Sequence, residues 1–141
     1  MVTSEDCLFC RIASKSLPSL VIYEDEKTFG FLDIMPRAGG HTLVVPKYHV
    51  ATLAELPESE VPHLFLAVRK VAIVLKKALK ADGLTIGINQ GRISGQVVDH
   101  LHVHIMPRFM KDGGDSIQSV VNKPPEMSLQ SLQKKILKNK N

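Results

Sequence analysis

The sequence predicts an α+β fold in which a five-stranded antiparallel sheet lies beside one long helix, with short helices near both ends. Three observations support this prediction. Five short runs rich in apolar and β-branched residues are bounded by Gly, Pro or charged turns, which is typical of strands. One central segment repeats its apolar residues at helical spacing. The connections between strands are of hairpin length, which favours an antiparallel sheet over a wound parallel one.

The first half of the chain supplies a short helix and three strands. The helix is predicted in CLFCRIASKSLP, where Pro18 stops it. The stretch LVIYEDEKTFGFLDI predicts two strands, near 20–24 and 27–33, joined by a charged turn. The stretch GGHTLVVPKYH predicts a third strand, near 41–46, that ends at Pro46.

The second half supplies the long helix, two strands and a short C-terminal helix. Gly83 follows the last periodic residue of the long helix, as expected for a C-terminal stop. LTIGIN predicts a fourth strand, VDHLHVHIMP predicts a fifth that ends at Pro107, and a short amphipathic helix begins at about Met127. The apolar positions of the long helix are Val61, Leu64, Phe65, Val68, Val71, Ala72, Leu75 and Leu79.

Length and composition limit the class of protein. We expect one domain over residues 1–141, because this length can bury a core without staples. No apolar run approaches the roughly 20 residues that a membrane span needs. The N-terminal stretch MVTSEDCLFCRIASK has no apolar signal-peptide region, so we expect a cytoplasmic protein.

The net charge of +4 raises the question of a nucleic-acid partner. Basic residues concentrate near the C-terminus, so we interpret them as a solvated tail rather than as a nucleic-acid-binding surface. The four lysines that equal the net excess are Lys134, Lys135, Lys138 and Lys140.

Three of the six histidines alternate with apolar residues in HLHVH. On a strand, His100, His102 and His104 would share one face, while Leu101 and Val103 would face the core. Imidazole is suited to nucleophilic attack, proton transfer and contact with anions near neutral pH. A polar strand face with incidental histidines is the alternative, and the strict alternation argues against it.

The loop NQGRISGQ directly precedes the histidines. Its glycines would let backbone N–H groups approach an anion, and the side-chain amides of Asn89 and Gln96 could hold phosphate oxygens. Taken alone, the loop would more often be a hairpin turn than a site. Because it leads into the histidines, it predicts a phosphate pocket.

Cys7 and Cys10 are the only cysteines and lie three positions apart. In a cytosolic protein this spacing favours metal or redox chemistry over a structural disulfide. Two free thiols on a short helix are the alternative.

The chain resembles the histidine triad (HIT) family. The family motif, three histidines separated by single apolar residues and followed by two more, is matched by HLHVHIM, and GQ precedes it at the family spacing. Upstream of this motif, the stretches CLFCRI, IYEDE, FLDI and GHTLVVPKYH occur in the same order as in the family. The resemblance covers about residues 7–108 and leaves a basic tail, about 109–141, outside it.

The resemblance implies an enzyme that cleaves a bond to the α-phosphate of a nucleotide, usually adenosine, in two displacements. His102 would be the nucleophile that forms a nucleotidyl-histidine, His104 would contact the phosphate, and His100 would flank the site. Gln96 and backbone groups would stabilise the developing charge. Asn89 would lie near the phosphate or ribose.

The resemblance also implies a nucleoside pocket. Asp33 would accept hydrogen bonds from the ribose hydroxyls, and a turn role before Pro36 is its alternative. His41 would support the triad from a neighbouring strand or would be a satisfied core histidine. Plain core packing is the alternative for two of the residues that would enclose the base, Phe31 and Ile34. The full set that would enclose the base is Phe9, Ile12, Phe31 and Ile34.

The chain departs from the family pattern at one phosphate contact and matches a metal site found in one branch of it. Many relatives carry Ser or Thr after Gly-Gln, where this chain has Val97, so one phosphate donor is missing. One branch of the superfamily binds structural zinc in a closed tetrahedral site. The matching residues here are Cys7, Cys10, His49 and His100.

Three classes of function remain open at this point. The leading hypothesis is a hydrolase of adenine nucleotides, acting on phosphoramidates or dinucleoside polyphosphates. The alternatives are a nucleotide-binding regulatory module with little activity and a deadenylase acting on nucleic-acid ends, whose binding would weaken steeply with salt. The resemblance further implies a two-fold homodimer with a sheet that continues across the interface.

Overall fold

A computed structural model describes residues 3–140 and confirms the predicted α+β fold. A five-stranded antiparallel sheet is combined with one long helix and with a short helix towards each end. Single 3-10 turns interrupt three of the loops. The elements in chain order are α1 (Leu8–Ala13), β1 (Val21–Glu24), β2 (Thr28–Leu32), β3 (Thr42–Pro46), α2 (Val61–Leu79), β4 (Gly83–Gly87), β5 (Val103–Arg108) and α3 (Leu129–Lys138).

The strand order in the sheet is β1-β2-β3-β5-β4, so that β1 and β4 are the edge strands. Leu43 of β3 pairs with Phe31 of β2 on one side and with His104 of β5 on the other. Because paired residues point to the same face, these three side chains share one face of the sheet. We call it the histidine face.

Each face of the sheet has its own apolar core. The buried side of α2 packs on the face opposite the histidines, against residues that include Val44, Val103 and Ile105. The histidine face carries a second cluster, made by Phe29, Phe31, Leu43 and Val45 together with Phe9 of α1. Burial of each such side chain contributes about 1.5–3 kcal/mol. The cluster on the histidine face therefore anchors α1 beside the histidines.

Two boundaries differ from the sequence prediction, both near prolines or glycines. Helix α2 ends at Leu79, the last predicted periodic residue, but the residue that closes it is Lys80, in a left-handed conformation with φ 52°, and Gly83 instead begins β4. Pro107 does not end β5 but pairs with Leu84. The pairing of β3 with β5 ends at Ile105, so Pro107 has a neighbouring strand only on the β4 side. The missing N–H of Pro107 therefore breaks no hydrogen bond between β3 and β5.

The fifth strand also begins later than predicted. It starts at Val103, so His100 and His102 lie in the irregular segment before it. Leu101 bonds through its N–H to the carbonyl of Val50 rather than to a strand partner. This irregular entry gives the three histidines different surroundings. Within residues 3–140, no helix is both long and apolar enough to cross a membrane.

Candidate functional site

The three alternating histidines do not form one open row. His100 is fully buried and faces α1, His102 is 6% exposed, and His104 is half-buried at the start of β5. The ring of Phe9 lies edge-on to both His100 and His102, with centroid distances of 5.9 and 5.2 Å. The rings of His102 and His104 remain neighbours at 5.0 Å. The site therefore contains a pair of histidines, while His100 belongs to a separate cluster.

A backbone carbonyl fixes the tautomer of His102. Its Nδ1 lies 2.6 Å from the carbonyl oxygen of His100. Because a carbonyl oxygen can only accept, Nδ1 carries a proton, and in the neutral ring the lone pair is then on Nε2. His102 is thus held in the form that a nucleophile requires.

A directed hydrogen-bond chain fixes the opposite tautomer in His104. The backbone N–H of Arg37 donates to Nδ1 of His41 at 3.1 Å, so the proton of neutral His41 is on Nε2. That Nε2–H donates to Nδ1 of His104 at 2.9 Å. The proton of His104 is therefore on Nε2. Side by side, His102 offers a lone pair and His104 offers an N–H donor.

Burial keeps both members of this chain neutral. Burial lowers the pKa of His104 to about 4, with further lowering by neighbouring His102 and His41. Burial also lowers the pKa of His41, against the opposing influence of the Asp33 carboxylate. Neutral rings are what the hydrogen-bond directions require, because a doubly protonated His41 could not accept from Arg37.

Asp33 lies at the edge of the same face. Its Oδ1 accepts from the N–H of Met35 at 2.9 Å, and its Oδ2 lies 3.6 Å from Nε2 of His41. The carboxylate is part of a surface cavity of about 370 Å³. The cavity is lined by Leu32, Asp33, Pro36, Arg37, Ala38, Gly39, Gly40 and His41.

The predicted base-enclosing residues lie in different environments. Phe9 and Phe31 are each 4% exposed and pack edge-on with centroids 5.4 Å apart, so they belong to the core of the histidine face. Ile12 is half-buried beside them. Ile34 is 90% exposed, which excludes the alternative of core packing for this residue.

The glycine-rich loop is held by Gln96. Its Oε1 accepts from the N–H of Gly91 at 2.8 Å, and its Nε2 donates to the carbonyl oxygens of Ala51 and Val98 at 2.8 and 3.2 Å. These bonds engage both ends of the amide, so Gln96 shapes the loop. Gly91 has φ 87°, a value that side-chain-bearing residues rarely adopt. Asn89 is exposed at the entry of the loop.

A second cluster contains both cysteines. The ligand atoms of Cys7, Cys10, His49 and His100 all lie within 4.8 Å of one another. Nδ1 of His100 is 3.4 Å from Sγ of Cys7, 3.6 Å from Sγ of Cys10 and 3.3 Å from Nδ1 of His49. Sγ of Cys10 is 3.4 Å from Nδ1 of His49.

These separations fit a tetrahedral zinc ion. Zinc lies about 2.3 Å from sulfur ligands and about 2.0–2.1 Å from nitrogen ligands. In a tetrahedral site, these bond lengths separate a sulfur and a nitrogen ligand by about 3.6 Å and two nitrogen ligands by about 3.3 Å. Nε2 of His100 donates to the carbonyl of Pro46 at 2.8 Å, which leaves the Nδ1 lone pair directed at the cysteines. Metal-binding histidines usually donate their second N–H in this way.

A group formed by Asp33, His41 and His104 is also compact but does not fit a metal. Binding through Nε2 of His41 would need a proton on Nδ1, and Nδ1 accepts from the N–H of Arg37. Between these two groups, the hydrogen bonds favour metal binding at the cysteines and not at the histidine pair.

Comparison with known proteins settles the family. A family model described as the HIT domain matches residues 14–111. The chain belongs to the HIT family. An uncharacterized HIT-like protein of Methanocaldococcus jannaschii is 49% identical over 107 residues, which are 76% of this chain and 82% of that protein. An adenosine 5'-monophosphoramidase of Candida albicans is 38% identical over 112 residues, 77% of this chain and 74% of that protein.

Solved structures of the HIT family share the fold. A HIT-family protein of Bacillus subtilis has a TM-score of 0.86 and 36% identity, and the alignment covers 97% of this chain and 99% of that chain. A zinc-bound histidine triad family protein of Mycobacterium smegmatis has a TM-score of 0.69 and 34% identity, with 91% of this chain and 88% of that chain covered.

Proposed function

We propose that this protein is a hydrolase that cleaves the bond between the α-phosphate of an adenine nucleotide and an amine. The paired tautomers of His102 and His104 are the observation that carries this proposal. The likeness to an adenosine 5'-monophosphoramidase supports the choice of an amine over a second nucleotide as leaving group.

The proposed reaction consists of two displacements. Nε2 of His102 attacks the α-phosphorus of a phosphoramidate whose bridging nitrogen takes a proton from solvent, the P–N bond breaks, and the neutral amine leaves. The Nε2–H of His104 donates to a phosphoryl oxygen, as do backbone N–H groups of the loop that Gln96 holds, and this stabilises the developing charge. Water then attacks phosphorus and loses a proton to solvent, the P–Nε2 bond breaks, nucleoside monophosphate leaves, and Nε2 of His102 regains its lone pair.

We propose that the nucleoside binds beside the histidine face, with its ribose at Asp33. The carboxylate accepts from the ribose hydroxyls through Oδ2, because Oδ1 is already bonded to the backbone. Ile34 and Ile12 contact the base, and the buried rings of Phe9 and Phe31 support them from the core. Asn89 approaches the phosphate or ribose from the entry of the loop.

We propose that Cys7, Cys10, His49 and His100 hold a structural zinc ion. The ligand separations and the hydrogen bond from His100 to Pro46 support this assignment, as does the zinc-bound relative of known structure. When bound, the ion would cross-link the chain segments that carry these four residues and would take no part in the reaction. The carbonyl of His100 fixes the tautomer of His102, so bracing His100 also braces the nucleophile.

The activity is tested with a panel of three substrates. Adenosine phosphoramidate, a diadenosine polyphosphate and adenylated DNA are incubated with the full chain, and release of adenosine monophosphate is followed. We expect the highest kcat/KM for the phosphoramidate. Preference for adenylated DNA would support the deadenylase instead, and nucleotide binding without release from any substrate would support the regulatory module.

A further inference from the structure

Cys7 and Cys10, which form the cysteine cluster with His49 and His100, are close enough to bond to each other after a small movement. Cys7 is the N-cap of α1, in an extended conformation, and Cys10 lies in the first turn of the helix. Both are free cysteines, and their Sγ atoms lie within 4.8 Å of one another. Residues three apart along a helix have Cβ atoms about 5–6 Å apart, and a disulfide needs about 3.5–4.5 Å. Because Cys7 precedes the helix, it can close this gap without unwinding α1.

The pair is open to a small oxidant. Cys7 is half-buried, whereas Cys10 is 5% exposed. Cys10 also borders a surface cavity of about 510 Å³, together with residues that include Ser4, Arg11 and Lys47. None of the residues that line this cavity belongs to the histidine pair or to the cavity at Asp33. Cysteines that sense oxidants are typically accessible and have a second cysteine beside them.

One connection from the sulfur atoms to the histidine site runs through His100 and α1. Nδ1 of His100 lies 3.4 and 3.6 Å from the two sulfur atoms, and its carbonyl accepts from Nδ1 of His102 at 2.6 Å. Phe9 lies between the two cysteines in the sequence, and its ring is 5.2 Å from the ring of His102. A change in the bonding of the sulfur atoms therefore reaches His102 through two contacts.

A second connection runs through the segment that follows His49. The carbonyl of Val50 accepts from the N–H of Leu101 at 2.6 Å, between the first two histidines of the triad. The carbonyl of Ala51 accepts from the side-chain amide of Gln96 at 2.8 Å. His49 is itself a member of the cysteine cluster. The backbone that holds both the nucleophile segment and the glycine-rich loop is thus attached to the cluster.

We propose that Cys7 and Cys10 form a reversible disulfide when the protein meets a hydroperoxide, and that this modification switches the histidine site off. The thiolate of Cys7 attacks the outer oxygen of the hydroperoxide, the O–O bond breaks, and the alkoxide takes a proton from water and leaves as an alcohol. The thiolate of Cys10 then attacks the sulfur of the Cys7 sulfenic acid, the S–O bond breaks, and hydroxide leaves. The two sulfur atoms give up two electrons, and the O–O bond accepts them.

The disulfide removes two of the four ligands proposed for zinc. The remaining donors, His49 and His100, are too few for a closed tetrahedral site, so the metal is released. Both connections to the histidine site then loosen, and His102 loses its fixed tautomer. The effect on turnover rests on the proposed function, whereas formation of the disulfide and the effect on the His102 ring do not.

The direct test oxidises the native full chain with a slight excess of hydrogen peroxide. Intact mass, peptide mapping, zinc content and nitrogen-15 spectra of the histidine rings are recorded before and after. We expect the loss of two hydrogen masses in a peptide that links Cys7 to Cys10, and loss of the single Nδ1–H tautomer of His102. Dithiothreitol with added zinc should restore both, whereas oxidised methionine, which needs an enzyme for its reduction, would not be restored. Zinc content reports separately on the metal assignment.

The single-cysteine variants identify the attacking sulfur. Cys10→Ser keeps the more exposed thiol and should give a sulfenic acid that dimedone traps, whereas Cys7→Ser should react clearly more slowly. Faster trapping in Cys7→Ser would overturn the assignment of Cys7 as the attacking residue.

Activity separates this inference from the proposed function. On oxidation, kcat/KM of the native chain for adenosine phosphoramidate should fall at least about tenfold and recover with dithiothreitol and zinc. A reduced chain that is inactive on every substrate would count against the proposed function, while the His102 spectrum still decides the switch. Native protein that keeps both thiols free after treatment, or a disulfide that leaves the His102 signal unchanged, would overturn the proposal.

Discussion

Backbone groups determine the tautomers of the histidines in the site. The carbonyl of His100 holds the proton of His102 on Nδ1, and the N–H of Arg37 holds the tautomers of His41 and His104. The alternating pattern in the sequence indicates the histidines and the family resemblance implies Asp33, but a backbone N–H has no sequence signal of its own. The opposite tautomers of the pair therefore became visible only in the structure.

Asp33→Asn tests the ribose contact at the residue scale. The amide retains an oxygen for the Met35 N–H but loses the charge facing the ribose. A hydrogen bond to a charged group contributes about 1.5–3 kcal/mol, so kcat/KM for the ribonucleotide should fall about ten- to a hundredfold. Steady-state kinetics with ribose and 2'-deoxyribose substrates measure this loss.

The deoxy substrate is the internal control for Asp33. It already lacks one partner of the carboxylate, so its loss in Asp33→Asn should be clearly smaller. Equal losses for both substrates would show that Asp33 acts through His41, whose Nε2 lies 3.6 Å away, or through the turn.

At the scale of elements, α1 and the segment before β5 meet in the cysteine cluster. The sequence predicts both elements, and the spacing of Cys7 and Cys10 favours metal or redox chemistry, whereas the full set of four ligands comes only from the resemblance to the zinc-binding branch of the family. It does not predict that His100 turns away from His102, because strict alternation suggests a continuous strand. The His100–Pro46 hydrogen bond and the Phe9 ring separate the two histidines.

His49→Asn tests the zinc site against a matched control. His63 lies exposed on α2 and outside the cluster, so His63→Asn should behave as the native chain does. We expect about one zinc per native chain in elemental analysis, and a lower melting temperature for His49→Asn, because metal binding adds to folding stability. A chelator should lower the melting temperature of the native chain and of His63→Asn but not that of His49→Asn.

The outcome that would defeat the zinc assignment is specific. It is native protein purified without added metal that contains less than about a tenth of an equivalent of zinc, whose two cysteines react freely with a thiol reagent. His100 would then be braced by Pro46 and Phe9 alone.

At the scale of the whole molecule, the fold class and strand count follow from the sequence, since five apolar, β-branched runs are bounded by Gly, Pro or charged turns and one segment has helical spacing. The path of residues 109–140 does not follow, because the amphipathic pattern of α3 does not indicate where in the fold the helix lies. Val97 shows the same limit. Its identity is visible in the sequence, whereas its 80% exposure beside an exposed Ile93 is not.

The buried histidines make global stability depend on pH. Burial lowers the pKa of His104 to about 4, so the folded state stays neutral while the unfolded chain takes up a proton below about pH 6.5. The free energy of unfolding should therefore fall from pH 6.5 towards pH 4, by at most about 1.4 kcal/mol per pH unit for this group. Urea unfolding at several pH values measures the slope.

His104→Asn is the comparison for the pH slope. It removes the titrating ring, so the free energy of unfolding should lose less per pH unit than in the native chain, whatever its absolute value. An unchanged slope in this variant would mean that other groups carry the acid sensitivity.

The central claim, covalent catalysis by His102, is tested most directly by trapping the intermediate. Native protein and adenosine phosphoramidate are mixed, quenched in base within milliseconds, digested and analysed by mass spectrometry. We predict one adenylate group attached to the peptide that contains His102, and none in His102→Ala, which should keep its fold and bind nucleotide while losing turnover. An adduct on His104 or another residue, or near-native turnover by His102→Ala, would contradict the account.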